Sequence, residues 1–161
     1  MTIPEELMTN LRTSAEEVFD TMVFKPLVRL PEADPEPART GTNVVATVAF
    51  AGHRRGLVSI HSSIDAARSI ACAMLGIPEE EITGEIPDAM GEVANMVAGT
   101  FRNKLAAIEP ASAIAVPTVT IGSDFSTKYL SAVRRARCPF EMEGQPVAVE
   151  LILTGEEAAA A

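Results

Sequence analysis

The sequence from Pro87 to Ile108, PDAMGEVANMVAGTFRNKLAAI, predicts a long helix against which the rest of the chain packs. At about 100° per residue, its apolar side chains fall on one broad stripe, and the proline fits the first helical turn. A stripe of this width indicates a helix with one face in a hydrophobic core. The stripe consists of Met90, Val93, Ala94, Val97, Phe101, Leu105 and Ile108.

The opposite face of this helix carries Asp88, Glu92, Asn95, Gly99 and Asn103. Glutamate is common on exposed helical faces, but asparagine favours caps and turns. Glycine inside a helix costs about 1 kcal/mol unless another group must approach the backbone closely. Two unfavourable residues on one stripe, one turn apart, indicate a functional surface. A packing neighbour within the same molecule could also require Gly99.

Periodic patterns elsewhere predict two more helices. Helix one lies within residues 4–24, and helix two begins at Ser62 as N-cap, with Asp65 three residues on, and stops at Gly76 and Pro78. The apolar stripe of helix one consists of Leu7, Leu11, Ala15, Val18, Phe19 and Met22.

Short β-rich runs account for most of the remaining sequence. Residues 31–42 contain prolines, glycine and acidic residues, and therefore form a predicted surface loop. The combination predicts an α+β fold with helices packed on a largely antiparallel β-sheet. The predicted strands lie in residues 25–30, 43–50, 55–62, 114–122, 127–135, 138–144 and 145–154.

Length and composition limit the possible classes of protein. The chain has 161 residues, of which 47% are hydrophobic, so we expect one domain over residues 1–155 and a flexible tail over 156–161. No apolar stretch approaches the roughly 20 residues that span a bilayer, and the N-terminal region is acidic, unlike a signal peptide. We therefore expect a cytoplasmic protein without a membrane partner. Cys72 and Cys138 lack metal-ligand spacing and are expected to be buried thiols.

Charge and motif content exclude several functions. A formal net charge of −9 and only 4% aromatic residues disfavour nucleic acid as a partner. The sequence has no phosphate-binding loop, dinucleotide-binding turn or nucleophile elbow. The histidines, His53 and His61, are too few for a typical metal or catalytic site, and His53 lies in a predicted hairpin turn. We expect neither a metal site nor a cofactor in this chain.

Glu92 and Asn95 stand three residues apart, so their side chains can enter one pocket on another molecule. A carboxylate can pair with a lysine there, while a carboxamide offers a donor and an acceptor that can orient a water molecule. Phosphoryl hydrolysis requires mainly the positioning of an in-line water and the stabilisation of charge. The pattern therefore favours chemistry performed in a partner's active site.

These residues resemble the signature of the CheC/CheX/FliY chemotaxis phosphatases: Asp or Ser, three residues, Glu, two residues, Asn and a later Pro. Here the signature is Asp88, Glu92, Asn95 and Pro117, with 21 residues between the last two, one fewer than the family spacing. The resemblance implies a CheC-like fold and hydrolysis of the aspartyl-phosphate of a CheY-like response-regulator receiver domain. It also implies that the Mg²⁺ ion belongs to the receiver.

The resemblance assigns a role to each residue of the helix face. Glu92 would bridge to the receiver's lysine, and Asn95 would orient the attacking water. Asp88, Gly99 and Asn103 would contact the receiver, with the glycine allowing its close approach.

Helix one resembles a degenerate copy of this site, because aligning residues 13–22 with residues 88–97 matches Glu17 to Glu92 and Asp20 to Asn95. Aspartate lacks the amide donor and would repel a phosphoryl group. Glu17 and Asp20 could equally be solvated acids. A single active helix is similar to CheX, which implies a homodimer.

Two other functions are also compatible with the sequence. One is a non-catalytic module that binds a receiver or a flagellar-switch component. The other is a small-molecule or metal-binding domain, which the lack of clustered ligands disfavours.

Overall fold

The computed structural model describes residues 2–32, 40–131 and 133–155. A π-helical turn, Phe19–Val23, continues the first helix, and a short 3₁₀ turn, Glu79–Glu81, precedes the last helix. The helices are α1 Glu5–Val18, α2 Ile64–Leu75 and α3 Ile86–Leu105. The strands are β1 Val28–Arg29, β2 Asn43–Ala51, β3 Arg55–Ser63, β4 Ala113–Ile114, β5 Thr118–Gly122, β6 Val133–Met142 and β7 Gln145–Thr154.

All of these strands belong to one antiparallel sheet, in which the order is β1-β6-β7-β3-β2-β4, and β5 also pairs with β2. Two long hairpins, β2–β3 and β6–β7, form its centre. The second hairpin turns at Glu143 and Gly144, which both have positive φ, 51° and 79°, as a tight two-residue turn requires. The predicted α+β architecture with a largely antiparallel sheet is confirmed.

The three helices cover one face of the sheet, and the core lies between them. Alternate strand residues, such as Val58 and Ile60, point into this core. Helix α3 packs on β2, β3 and β5 and also contacts α1 and α2. Phe101 meets Phe50 edge-on with ring centroids 5.9 Å apart. The α3 stripe therefore joins the helices to the sheet.

The ends of two predicted helices were placed wrongly. Helix α2 is capped by Ser63, not Ser62, because the Ser63 hydroxyl accepts a hydrogen bond from Ala66 N at 3.1 Å. Ser62 is instead buried in β3, opposite Val147. Helix α3 stops at Leu105, so Ile108 lies beyond it and is 50% exposed. The other predicted members of the α3 stripe are buried.

The region between α3 and β6 also differs from the prediction. Residues 114–122 are divided between β4 and β5, with Pro117 between them, because proline has no N–H to donate to a sheet. Residues 127–131 do not form a strand. Val133–Arg135 instead begin β6, which pairs with β7 over its full length, and Asp124–Thr127 together with Tyr129 line a cavity on the uncovered face of the sheet.

The predicted environments of the cysteines and of His53 match the structure except at Cys72. Cys138 is buried as expected, but Cys72 is only partly buried. His53 is exposed in the β2–β3 turn. Most of the predicted loop, residues 33–39, and the predicted tail, residues 156–161, lie outside the described residues.

Replacement of Gly56 by alanine should disrupt the centre of the sheet. A Cβ atom there would lie 2.0 Å from the carbonyl oxygen of Ile152, a backbone atom that cannot move without breaking the β3–β7 pairing. We expect a loss of about 1–3 kcal/mol in the free energy of unfolding, measured by urea denaturation. Gly84→Ala is the control, since no atom lies within 4 Å of its added methyl group. Equal stability of the two variants would contradict the β3–β7 packing.

Candidate functional site

The candidate site is the outward face of α3. Asp88, Glu92 and Asn103 are exposed, and Asn95 and Gly99 are partly buried. Glu92 and Asn95 lie in adjacent turns of the same helix, while the apolar stripe on the opposite side is buried. The structure therefore places all five predicted residues along one accessible face.

The polar side chains of this face are not used by the fold. In the described part of the chain, the side chains of Asp88, Glu92, Asn95 and Asn103 make no hydrogen bond or ion pair. A carboxylate and a carboxamide with unused hydrogen-bonding capacity can bind groups of another molecule without first breaking internal contacts. The free protein thus presents both groups ready for a partner.

Gly99 has no packing role inside the described protein. A Cβ atom at this position would have no neighbour within 4 Å. The sequence left open whether an internal neighbour requires this glycine, and the structure removes that alternative for the described residues. The cost of a helical glycine is therefore consistent with close approach by a second molecule.

Gly91 is a residue of this region that the sequence prediction missed. It is buried one position before Glu92, and its added Cβ would lie 3.6 Å from both Pro117 Cβ and Val119 Cγ2. The loop before β5 thus packs directly on α3, which brings Pro117 close to Gly91, the residue before Glu92. The signal was a glycine inside the helix directly before the glutamate, but only tertiary packing shows what it contacts.

The surface of the first helix that resembles this site in sequence has different contacts and a different shape. The Glu17 carboxylate lies 3.4 Å from the Lys104 ammonium group of α3, whereas Glu92 has no such partner among the described residues. The alignment of Glu17 with Glu92, extended to residues 24 and 99, matches Phe24 to Gly99. Phe24 is 75% exposed and has a positive φ of 59°. The two helices therefore present different surfaces despite their similar sequence pattern.

A groove of about 490 Å³ separates the exposed parts of α1 and α3. It runs beside the candidate site, because Gly99 and Asn103 form part of its wall. We call it the α1–α3 groove, and its lining residues are Glu17, Val18, Thr21, Met22, Met96, Gly99, Thr100 and Asn103.

A second cavity, of about 340 Å³, lies on the face of the sheet opposite the helices. Its buried charge is Glu150, whose Oε2 accepts a hydrogen bond from Arg135 at 2.8 Å, while His61 Nε2 lies 3.7 Å from Oε1. Burial alone would raise the pKa of the Glu150 carboxyl, but His61 and Arg135 outweigh it, and the pKa is lowered. This carboxylate is compensated within the sheet, unlike the carboxylate of Glu92.

No group of three or more His, Cys, Asp or Glu side chains within the described ranges is arranged to hold a metal ion. Among those same residues, no helix combines the length and the apolar character needed to cross a bilayer.

Solved structures define the class of protein by its fold. A CheC-like superfamily protein from Shewanella sp. PV-4 has a TM-score of 0.80 and 22% identity, covering 95% of this chain and 100% of that chain. CheX from Desulfovibrio desulfuricans has a TM-score of 0.77 and 24% identity, covering 92% and 99%. The CheX–CheY–BeF₃–Mg²⁺ complex from Borrelia burgdorferi contains a similar chain, with a TM-score of 0.74 and 19% identity, covering 92% and 98%. The chain therefore has the CheC-like fold.

The sequence itself identifies the family. Residues 44–141, more than half of the chain, match the family described as chemotaxis phosphatase CheX. No curated protein matches the chain in sequence. The chain belongs to the CheX family of chemotaxis phosphatases, and the matched segment contains the whole of α3 together with Pro117.

Gly99→Ala should stabilise the free protein. The added methyl group meets no atom within 4 Å, and alanine is favoured over glycine inside a helix by about 0.5–1 kcal/mol. Urea denaturation should show this gain in the free energy of unfolding, and Thr9→Ala at an exposed position of α1 provides a comparable gain in helix propensity away from the groove. A destabilised Gly99→Ala variant would show that the glycine has an internal role.

The acid sensitivity of the fold should depend on Glu150. Because its pKa is lowered in the folded protein, its stabilising contribution is present above the unfolded pKa of about 4.3 and is lost as the pH falls through the folded value. The free energy of unfolding should therefore fall less steeply between pH 6 and pH 3 for Glu150→Gln than for wild type. The exposed Glu80→Gln variant should keep the wild-type slope, and equal slopes for all three proteins would refute this assignment.

Proposed function

We propose that this protein hydrolyses the aspartyl-phosphate of a CheY-like response-regulator receiver domain. The observation that carries the proposal is the pair Glu92 and Asn95, one helical turn apart, accessible and unused by the fold. Membership in the CheX family supports the reaction class, and the complex of a structurally similar CheX with CheY supports the kind of partner.

Glu92 is the docking residue of the proposed site. Its carboxylate is exposed and has no cation in the described part of the chain, so it can pair with the lysine of the receiver's active site. A charge-assisted hydrogen bond of this type contributes about 1.5–3 kcal/mol. This pairing fixes α3 at a defined distance from the phosphoryl group.

Asn95 is the catalytic residue of the proposal. Its carboxamide can hold a water molecule through one donor and one acceptor, and so directs the water oxygen at phosphorus opposite the leaving oxygen. The water oxygen forms the new bond to phosphorus while the bond between phosphorus and the aspartyl oxygen breaks. The products are inorganic phosphate and the free carboxylate of the receiver.

The chemistry of the substrate explains why so small a site suffices. A carboxylate is a weak base and leaves without a proton donor, and a loose phosphoryl-transfer transition state demands little from a general base. We propose that the Mg²⁺ ion that neutralises charge on the phosphoryl oxygens belongs to the receiver, so this chain needs no cofactor of its own.

The other residues of the face serve contact with the receiver in this proposal. Gly99 leaves the helix backbone open one turn beyond Asn95, and Asp88 and Asn103 extend the contact toward the two helix ends. The homodimer implied by the family resemblance stays a prediction. Sedimentation at micromolar concentration tests it directly.

Asn95→Ala should abolish most of the acceleration while leaving binding in place. We expect at least about a 100-fold loss in the rate of phosphate release from a phosphorylated, Mg²⁺-bound receiver, because the water is no longer positioned. Glu92→Ala should instead weaken binding of the receiver about 10- to 100-fold. Asp20→Ala, which alters the matching position in the π-helical turn after α1, is the control and should retain wild-type turnover.

Three outcomes separate the possibilities. Failure of the wild-type protein to accelerate phosphate release would reject catalysis. If it nevertheless binds the receiver, it is a non-catalytic receiver-binding module. An Asn95→Ala variant as fast as wild type would remove the role assigned to that carboxamide.

A further inference from the structure

We propose that the α1–α3 groove, extended by Phe24, is an apolar docking site for the phosphorylated receiver. This inference rests on the proposed function and adds to it a surface that determines which receivers bind. The residues that carry it are Met22, Phe24 and Met96. None of them is one of the five residues of the candidate site described above.

The chemistry of the groove fits an apolar side chain of a partner. Val18 and Met96 provide apolar walls that also pack on the core, and Met22 adds an unbranched thioether that adapts to differently shaped partners. Thr21, Thr100 and Asn103 place polar groups among these walls. A mixed lining of this type is typical of a recognition site, in which apolar contact supplies affinity and polar groups fix orientation.

Two exposed apolar side chains, Met22 and Phe24, belong to the segment that follows α1 beside the groove. Met22 is 50% exposed and Phe24 is 75% exposed, although both belong to a segment whose neighbours Phe19 and Val23 are fully buried. Met22 lines the groove, and Phe24 follows it by two residues, so their Cα atoms are at most about 7 Å apart. Water contact of a phenylalanine and a methionine gives no stability to the free protein.

The backbone of the segment from Phe19 to Phe24 is also irregular. The last turn of α1 widens into the π-helical turn Phe19–Val23, and Lys25 N donates a hydrogen bond to Phe19 O at 3.2 Å. Phe24 then adopts a left-handed conformation with φ of 59°, which is uncommon for a bulky residue. π-Turns and residues in unfavourable backbone regions occur frequently at functional sites. A left-handed residue also ends many helices, but it is usually glycine, and here it is a phenylalanine.

Distance places the α1–α3 groove inside the area that a docked receiver would cover, because Gly99 and Asn103 form part of its wall. Gly99 and Asn103 follow Asn95 by four and eight residues, or roughly 6 and 12 Å along the helix axis. A standard interface buries about 800 Å² on each partner, which corresponds to a circular patch of roughly 16 Å radius. A receiver centred on Asn95 therefore contacts the groove.

The charge of the face favours a receiver over a second copy of this chain. A symmetric contact between two copies would bring each copy's acidic face, with Asp88 and Glu92, against the other. It would also cover Asn95, which must reach the phosphoryl group. A receiver that offers a lysine to Glu92 and an apolar side chain to the groove meets both requirements.

Binding of a receiver loaded with BeF₃ and Mg²⁺ tests the groove without requiring hydrolysis. Met22→Ser and Phe24→Gly should each raise Kd about tenfold, because each removes an apolar side chain that the complex buries. Leu75→Ser is the matched control, since Leu75 is 48% exposed on α2 and lies outside the groove. Calorimetric titration gives Kd, and thermal unfolding verifies that every variant is folded.

Turnover separates docking from chemistry. With the phosphorylated receiver, Met22→Ser and Phe24→Gly should raise KM, whereas Asn95→Ala should lower kcat. Kd values within twofold of the Leu75→Ser control would overturn the docking site, even if the wild-type protein is an active phosphatase. A wild-type dimer that Met22→Ser converts to a monomer would also overturn it, because the groove would then hold a second copy.

Failure of the proposed function has a different signature. If wild type binds the BeF₃-loaded receiver without accelerating phosphate release, and the groove variants weaken that binding, the docking site stands and catalysis is rejected. If wild type shows no binding at all, the docking site is rejected as well.

Discussion

Burial of the apolar stripe of α3 is the interaction on which the rest of this structure depends. The stripe packs on the central strands β2 and β3 and on β5, and the same helix contacts α1 and α2. Phe101 and Met90 are almost completely removed from water in this contact. Because one side of α3 is fixed so firmly to the sheet, the opposite side can carry residues chosen for a partner without loss of the fold.

Two glycines of α3 show how one helix meets both demands. Gly91 faces Pro117 and Val119, so its small size serves close packing of the β5 loop beside Glu92. Gly99 faces open space, so its small size serves nothing in the described protein. Gly91 therefore stabilises the fold, whereas Gly99 lowers the stability of the helix. A destabilising residue of this kind is expected where function and stability conflict.

The similarity of this protein to solved structures is a similarity of fold. Solved structures with 19–24% identity share the fold over more than nine tenths of this chain. A fold can persist at this identity because a core requires apolar residues of suitable volume at suitable positions, rather than particular residues. A recognition site depends on a few polar groups, so Glu92, Asn95 and the groove residues are where the properties of this protein must be tested.

Sequence periodicity alone predicted the three helices, the β2–β3 hairpin and the shared face of Glu92, Asn95 and Gly99, because helical and strand periodicity are local properties. It misplaced the cap of α2 and the strand around residues 127–135, since a hydroxyl bond to Ala66 and pairing with β7 decide these boundaries. Only the tertiary structure showed that Gly99 has no internal neighbour, that Glu17 lies beside Lys104, and that α1 and α3 enclose a groove. These facts depend on which elements meet in space, and no local pattern specifies that meeting.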